Sequence, residues 1–177
     1  MKSLMDIQKE ISASQAEILA VSKFQPEAQI RKLYAQGQRK FAENYAQEAL
    51  EKKVALQDLN IEWHFIGHLQ KNKAKMIVGE FFLIHSVDSL ELAQVIDRKA
   101  ADLKIRQKIL LQLNLAQEET KGGFSEIQFE KSISKLAQLP HVEIAGLMTM
   151  PPLFADPEKS RPYFQKLSYI RNHFSSL

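Results

Sequence analysis

Residues 18 to 26 read I-L-A-V-S-K-F-Q-P, and what this stretch is decides how the rest of the chain is read. Its apolar residues, with β-formers toward their end, run into Lys23, and Phe24-Gln25-Pro26 then stops the strand because proline has no N–H for a ladder. A lysine at the end of a buried strand has two readings. It can snorkel, keeping its stem on apolar surface and its ammonium in water. Alternatively it is held among apolar walls, where desolvation favours a neutral amine able to attack a carbonyl. The second reading is Schiff-base chemistry, and context has to choose between them.

Working outward, the same unit recurs. The lead-in from Met1 to Gln15 spaces Leu4, Ile7 and Ile11 as a short amphipathic helix. After Pro26, Ile30, Leu33 and Tyr34 continue a helical stripe that Gly37 ends, and Arg39-Lys40-Phe41-Ala42 reads as a second strand leading to Glu43-Asn44-Tyr45. Ala46 to Leu59 is helical, and Ile61 to Ile66 alternates as a third strand up to Gly67. Leu69 to Val78 reads as a helix, with Phe81 to His85 as the fourth strand. Asp88 with Glu91 resembles a capping box for the helix through Leu103. Lys108 to Asn114 is the fifth strand, apolar nearly throughout, as burial on both faces requires. A helix through Phe129, Ile133 and Leu136 ends at Pro140, Val142 to Met148 is the sixth strand, and a last helix runs from about Pro157 to Phe174.

Six strands alternating with helices predict βαβ units and a parallel sheet. A doubly wound sheet carries a glycine-rich phosphate turn after its first strand, whereas here that turn is K-F-Q-P. Nearly every strand instead ends in a group capable of chemistry: Lys23, Asn44, His68, Ser86, Asn114 and Met148-Thr149. In a (β/α)8 barrel of the TIM type those ends converge on one mouth. The expected fold is therefore α/β, a TIM-type barrel with only about six βα units and hence incomplete and open, as a single domain over residues 1–177. Lys23, Asn44, Ser86 and Met148 are expected at one end of the sheet, and the first and sixth strands should not pair.

Composition narrows the function classes. The chain has 177 residues, 45% of them apolar and 25% charged, and its 24 basic and 21 acidic side chains are spread without runs. That suits one soluble domain and gives nucleic-acid binding little support. Without a cysteine, disulfides, thiolate metal sites and cysteine nucleophiles are excluded. No stretch approaches a membrane span, and acids stand where a signal peptide would have its apolar core, so the expected compartment is the cytoplasm and no membrane partner is expected.

Singly, the candidate residues have plain readings. Asn44 could cap the helix beginning at Tyr45. His64 and His68 are four apart, but that spacing binds a metal on a helix, and His64 falls in a strand. His85 has no acid–base partner beside it in sequence. Thr120-Lys121-Gly122-Gly123 lacks the rest of a phosphate loop and reads as a flexible loop. Met148 and Met150 finish a core strand.

In order, however, I-L-A-V-S-K-F-Q-P, F-A-E-N-Y-A-Q-E, W-H-F-I-G-H-L-Q-K-N-K, H-S-V-D-S, L-L-Q-L-N-L-A-Q-E-E-T-K-G-G-F and G-L-M-T-M-P resemble successive motifs of the pyridoxal-phosphate homeostasis protein family. The resemblance covers the chain from Ile18 onward. It implies a barrel similar to the alanine racemase barrel domain, with pyridoxal 5'-phosphate as a Schiff base on Lys23 and Asn44, Ser86 and Met148 as further cofactor contacts. It implies a role in vitamin B6 and amino-acid homeostasis with no defined catalytic turnover, no catalytic residue and no metal. Free amino acids are the implied further partners, and a monomer is expected once such a barrel is complete. The family's last two βα units, which supply most of the phosphate contacts, have no counterpart before Leu177. A racemase- or decarboxylase-like enzyme and a cofactor-free interaction module are the alternatives.

Overall fold

The computed structural model describes residues 3–118 and 120–174. Six strands form one sheet in the order β1 to β6: Ala20–Val21, Lys40–Glu43, Glu62–Phe65, Leu83–Val87, Gln107–Leu113 and Val142–Thr149. Every neighbouring pair is parallel. The seven α-helices of the described residues are α1 Leu4–Ile11, α2 Glu27–Ala35, α3 Ala46–Ala55, α4 Ala74–Ile77, α5 Leu90–Asp102, α6 Glu126–Ala137 and α7 Arg161–Phe174. Strands β1 and β6 lie at opposite edges and do not pair with each other. This is the open α/β arrangement of six parallel strands that the alternation of elements predicts.

The core lies between the sheet and its helices. Phe41, Trp63, Phe65, Ile84, Ile109, Leu111 and Leu113 come from strands. They meet Ile30, Ala49, Leu92, Ile96, Phe129 and Ile133 from helices, all buried in one cluster. Helix α5 buries Leu92, Ala93, Ile96 and Ala100, the three-and-four spacing that puts one face on a sheet. Because successive strand residues face opposite sides, the other face carries Val21, Lys40, Glu62, His64, His85, Lys108 and Glu143. Val21 is half exposed there.

Several boundaries differ from the sequence expectation. Only two residues of the first apolar run enter the ladder: Ile18's carbonyl accepts from the side chain of Gln38, 20 residues further along, at 2.8 Å instead of from a strand neighbour. The helix expected over Leu69 to Val78 shrinks to a 3₁₀ turn, Lys71–Lys73, and the single turn of α4. The cap of α5 is Ser89, whose hydroxyl accepts from the Leu92 N–H, and not Asp88. The last helix begins as a 3₁₀ turn at Pro157–Ser160 before α7. The 120–123 loop is not free either, since Gln112 Nε2 donates to the Gly122 carbonyl and Asn114 Nδ2 to that of Lys121.

Candidate functional site

Parallel pairing puts the four predicted residues at the same, C-terminal end of the sheet. Val21 pairs with Ala42, so Lys23 and Asn44, each two residues further on, leave adjacent strands at one level. Ser86 and Met148 are the next-to-last residues of β4 and β6.

Their surroundings differ. Lys23 is half-buried and follows a strand whose direction is maintained past its end, because the Ser22 N–H donates to the Ala42 carbonyl at 2.9 Å. Asn44 does not cap α3: its Oδ1 is buried without a hydrogen-bond partner. A buried acceptor left unpaired costs about 1 to 3 kcal/mol, so Asn44 marks a place where a donor is wanted. Ser86 is already engaged, its hydroxyl donating to the Gly67 carbonyl. It thereby ties the end of β4 to the end of β3. Met148 is half-buried, and beside it the Thr149 hydroxyl donates to the Leu113 carbonyl at 2.9 Å.

Beneath the Lys23 turn lies a group of charges that sequence reasoning missed. Lys52 of α3 donates to the Ser22 carbonyl at 2.6 Å, to Glu43 Oε1 at 2.9 Å and to Glu48 Oε1 at 2.7 Å. Glu43 is fully buried, and its second oxygen has no partner. Burial pushes the Glu48 carboxyl up, but the Lys52 ammonium and the Phe24 N–H outweigh it and hold the group below its ordinary value. The visible signal was the i,i+4 spacing of Glu48 and Lys52, which usually denotes a surface pair. Burial here comes from packing α3 on β2.

A second pairing was also unforeseen. His85 has an acid–base neighbour after all: its Nε2 lies 2.8 Å from His64 Nδ1, and His64 Nε2 lies 3.0 Å from Glu62 Oε1. Strand register made this pair, bringing together residues 21 apart. Phe82 flanks His64, while Lys40 and Glu17 are the nearby charges. Desolvation, then the neighbouring His64, lowers His85 to about 4, and desolvation lowers His64 despite the opposing pull of Glu62. The two rings are therefore neutral near pH 7. Since the unfolded imidazole takes its proton near pH 6.5, stability is full above that value and is lost as pH falls toward 4. From the His85 shift alone the loss is about 3 kcal/mol at most. Urea unfolding at pH 7 and pH 4.5 should show this drop in the native chain and a smaller one in His85→Gln. Equal drops would place the acid sensitivity in the carboxylates instead. Among the described residues no cluster of His, Cys, Asp and Glu has a metal-holding arrangement; His68 is exposed and pairs with Asp88 at 3.5 Å.

The alanine racemase N-terminal domain family matches residues 4–176. The pyridoxal phosphate homeostasis protein of Aquifex aeolicus (strain VF5) is 43% identical over 157 residues, 89% of this chain and 69% of that protein. This chain belongs to the pyridoxal phosphate homeostasis protein family. The family member of Pseudomonas aeruginosa is 37% identical, over 85% of this chain and 65% of its own length, so the chain spans about two thirds of these relatives. PipY of Synechococcus elongatus PCC7942, solved with PLP bound, superposes with a TM-score of 0.84 at 37% identity, over 94% of this chain and 80% of PipY. An alanine racemase from Clostridium difficile 630 superposes with a TM-score of 0.69 at 17% identity, over 92% of this chain and 44% of the racemase, which shows the shared barrel-type fold. No helix of the described residues is long and apolar enough to cross a membrane.

Proposed function

We propose that this homeostasis-family chain binds pyridoxal 5'-phosphate as a Schiff base on Lys23 and acts in vitamin B6 and amino-acid homeostasis as a carrier without defined turnover. One observation carries the reading. Among the described residues the Lys23 side chain has no hydrogen bond or ion pair, although the backbone on either side of it is fastened. An amine so presented, one strand away from the residue whose buried oxygen is unpaired, Asn44, fits a ligand that brings both an electrophile and a donor. The PLP-bound PipY supports the choice of cofactor.

When bound, the cofactor supplies an electrophilic aldehyde on an electron-withdrawing ring. Lys23 would hold the cofactor through its Nζ, which would take the place of the aldehyde oxygen, lost as water. Asn44 and Met148 would help orient the ring from the strand ends, while Ser86 holds the Gly67 segment at the same end of the sheet. The amine of a free amino acid could displace Lys23, its proton passing to the departing lysine amine, and the site would in that way be linked to amino-acid pools. Mixing the protein with pyridoxal 5'-phosphate should produce the visible absorption of the C=N linkage, and Lys23→Ala should remove it. Full retention of the band by Lys23→Ala would reject the attachment point.

A further inference from the structure

We infer that Lys52, together with Glu43 and Glu48, is a positioning group for the Lys23 amine, an inference that rests on Lys23 being the attachment point. The ion cluster holds the two residues that flank Lys23. Ser22 gives its carbonyl to Lys52 and its hydroxyl to Glu43 Oε1, at 2.6 Å each. The Phe24 N–H donates to Glu48 Oε1, also at 2.6 Å. One buried cluster thus grips the chain on both sides of Lys23.

The backbone shows what the grip resists. Phe24 has φ of +61°, in the left-handed region where a Cβ crowds the following carbonyl oxygen. The Gln25 N–H closes the turn onto the Ser22 carbonyl at 3.0 Å, and a positive φ at the third residue of such a turn is ordinarily left to glycine or asparagine. Strain of this kind persists only where the surroundings over-determine it. Here the surroundings are a fully buried carboxylate and a nearly buried ammonium, with side-chain exposures of 0% and 10%. If the grip is released, the turn relaxes at Phe24 and the stem of Lys23 swings with it. Condensation of Nζ with an aldehyde carbon, forming C=N and releasing water, requires the amine within about 3 to 3.5 Å of that carbon on a defined approach. A loosened turn lowers the fraction of time spent there.

A merely structural cluster would change stability and leave the reactivity of Lys23 alone. The test separates the two. The full chain is mixed with pyridoxal 5'-phosphate, reduced with borohydride at fixed times and mapped by mass spectrometry. The readout is the initial rate of labelling at Lys23 relative to the exposed Lys71 and Lys73 in the same sample. The variants are Glu48→Ala, which releases the Phe24 N–H and removes a carboxylate already 25% exposed, Glu48→Gln, which keeps an acceptor for it, and the charge-neutral pair Glu43→Gln/Lys52→Met. In samples shown to be folded by circular dichroism, Glu48→Ala and the double variant should slow Lys23 labelling on the order of 10- to 100-fold, with Glu48→Gln within about threefold of the native chain. Native ratios in folded Glu48→Ala and in the double variant would overturn the positioning role. A native chain in which Lys23 is labelled no faster than Lys71 would instead refute the attachment point, and the positioning role would fall with it.

Discussion

Lys52→Met is expected to lower the unfolding free energy by about 3 to 5 kcal/mol, because removing one partner of a buried ion pair strands the other. The stranded group is Glu43, which has no access to solvent and already has one oxygen unpaired. Its remaining bond would come from the Ser22 hydroxyl, which cannot neutralise a carboxylate. The Ser22 carbonyl would lose its ammonium donor as well. Removing both charges should be far milder, since a buried pair replaced by neutral groups of similar volume is often close to neutral in stability. Urea unfolding of Lys52→Met, Glu43→Gln and the double variant closes the cycle. Single variants that each lose less than about 1 kcal/mol would mean that the pair is solvated and behaves as a surface contact.

Gly67→Ala should be nearly as damaging for a different reason. A Cβ at position 67 would stand 1.9 Å from the Asn44 carbonyl oxygen and 2.6 Å from its carbon. Both atoms are backbone, so no side-chain rotation relieves the overlap. Overpacking ordinarily costs about 1 to 3 kcal/mol, and contact this deep against main chain should exceed about 3 kcal/mol. The damage falls on the mouth of the sheet, since Gly67 also accepts from Ser86 and the residue pushed aside is Asn44. A urea midpoint within error of the native chain would contradict the close approach.

The fold was legible because local and global signals agree. Apolar runs of strand length alternate with three-and-four spaced helices, and the K-F-Q-P turn denies a phosphate loop, so a barrel-type parallel sheet follows from residues alone. Boundaries were less legible where a side chain takes over a backbone group, as Gln38 does with the Ile18 carbonyl. Lys23 and Asn44 were readable as strand-end groups. The cluster of Lys52, Glu43 and Glu48 was not, because its members are helix and strand residues whose meeting depends on how α3 seats on β2. The same holds for His64 and His85, which only the register of β3 against β4 brings within 2.8 Å. Sequence periodicity reports which face a residue takes; it does not report which residue of another element it meets there.

In the function proposed, Lys23 is a privileged amine and not one lysine among many. Borohydride reduction of the protein with excess pyridoxal 5'-phosphate, followed by digestion and mass spectrometry, tests it directly. The predicted result is label concentrated on the peptide containing Lys23 and absent from that segment in Lys23→Ala, with the surface lysines labelled only weakly in both. Label spread evenly over Lys23, Lys71, Lys73 and Lys99 would show an ordinary amine at the strand end and would contradict the proposed site.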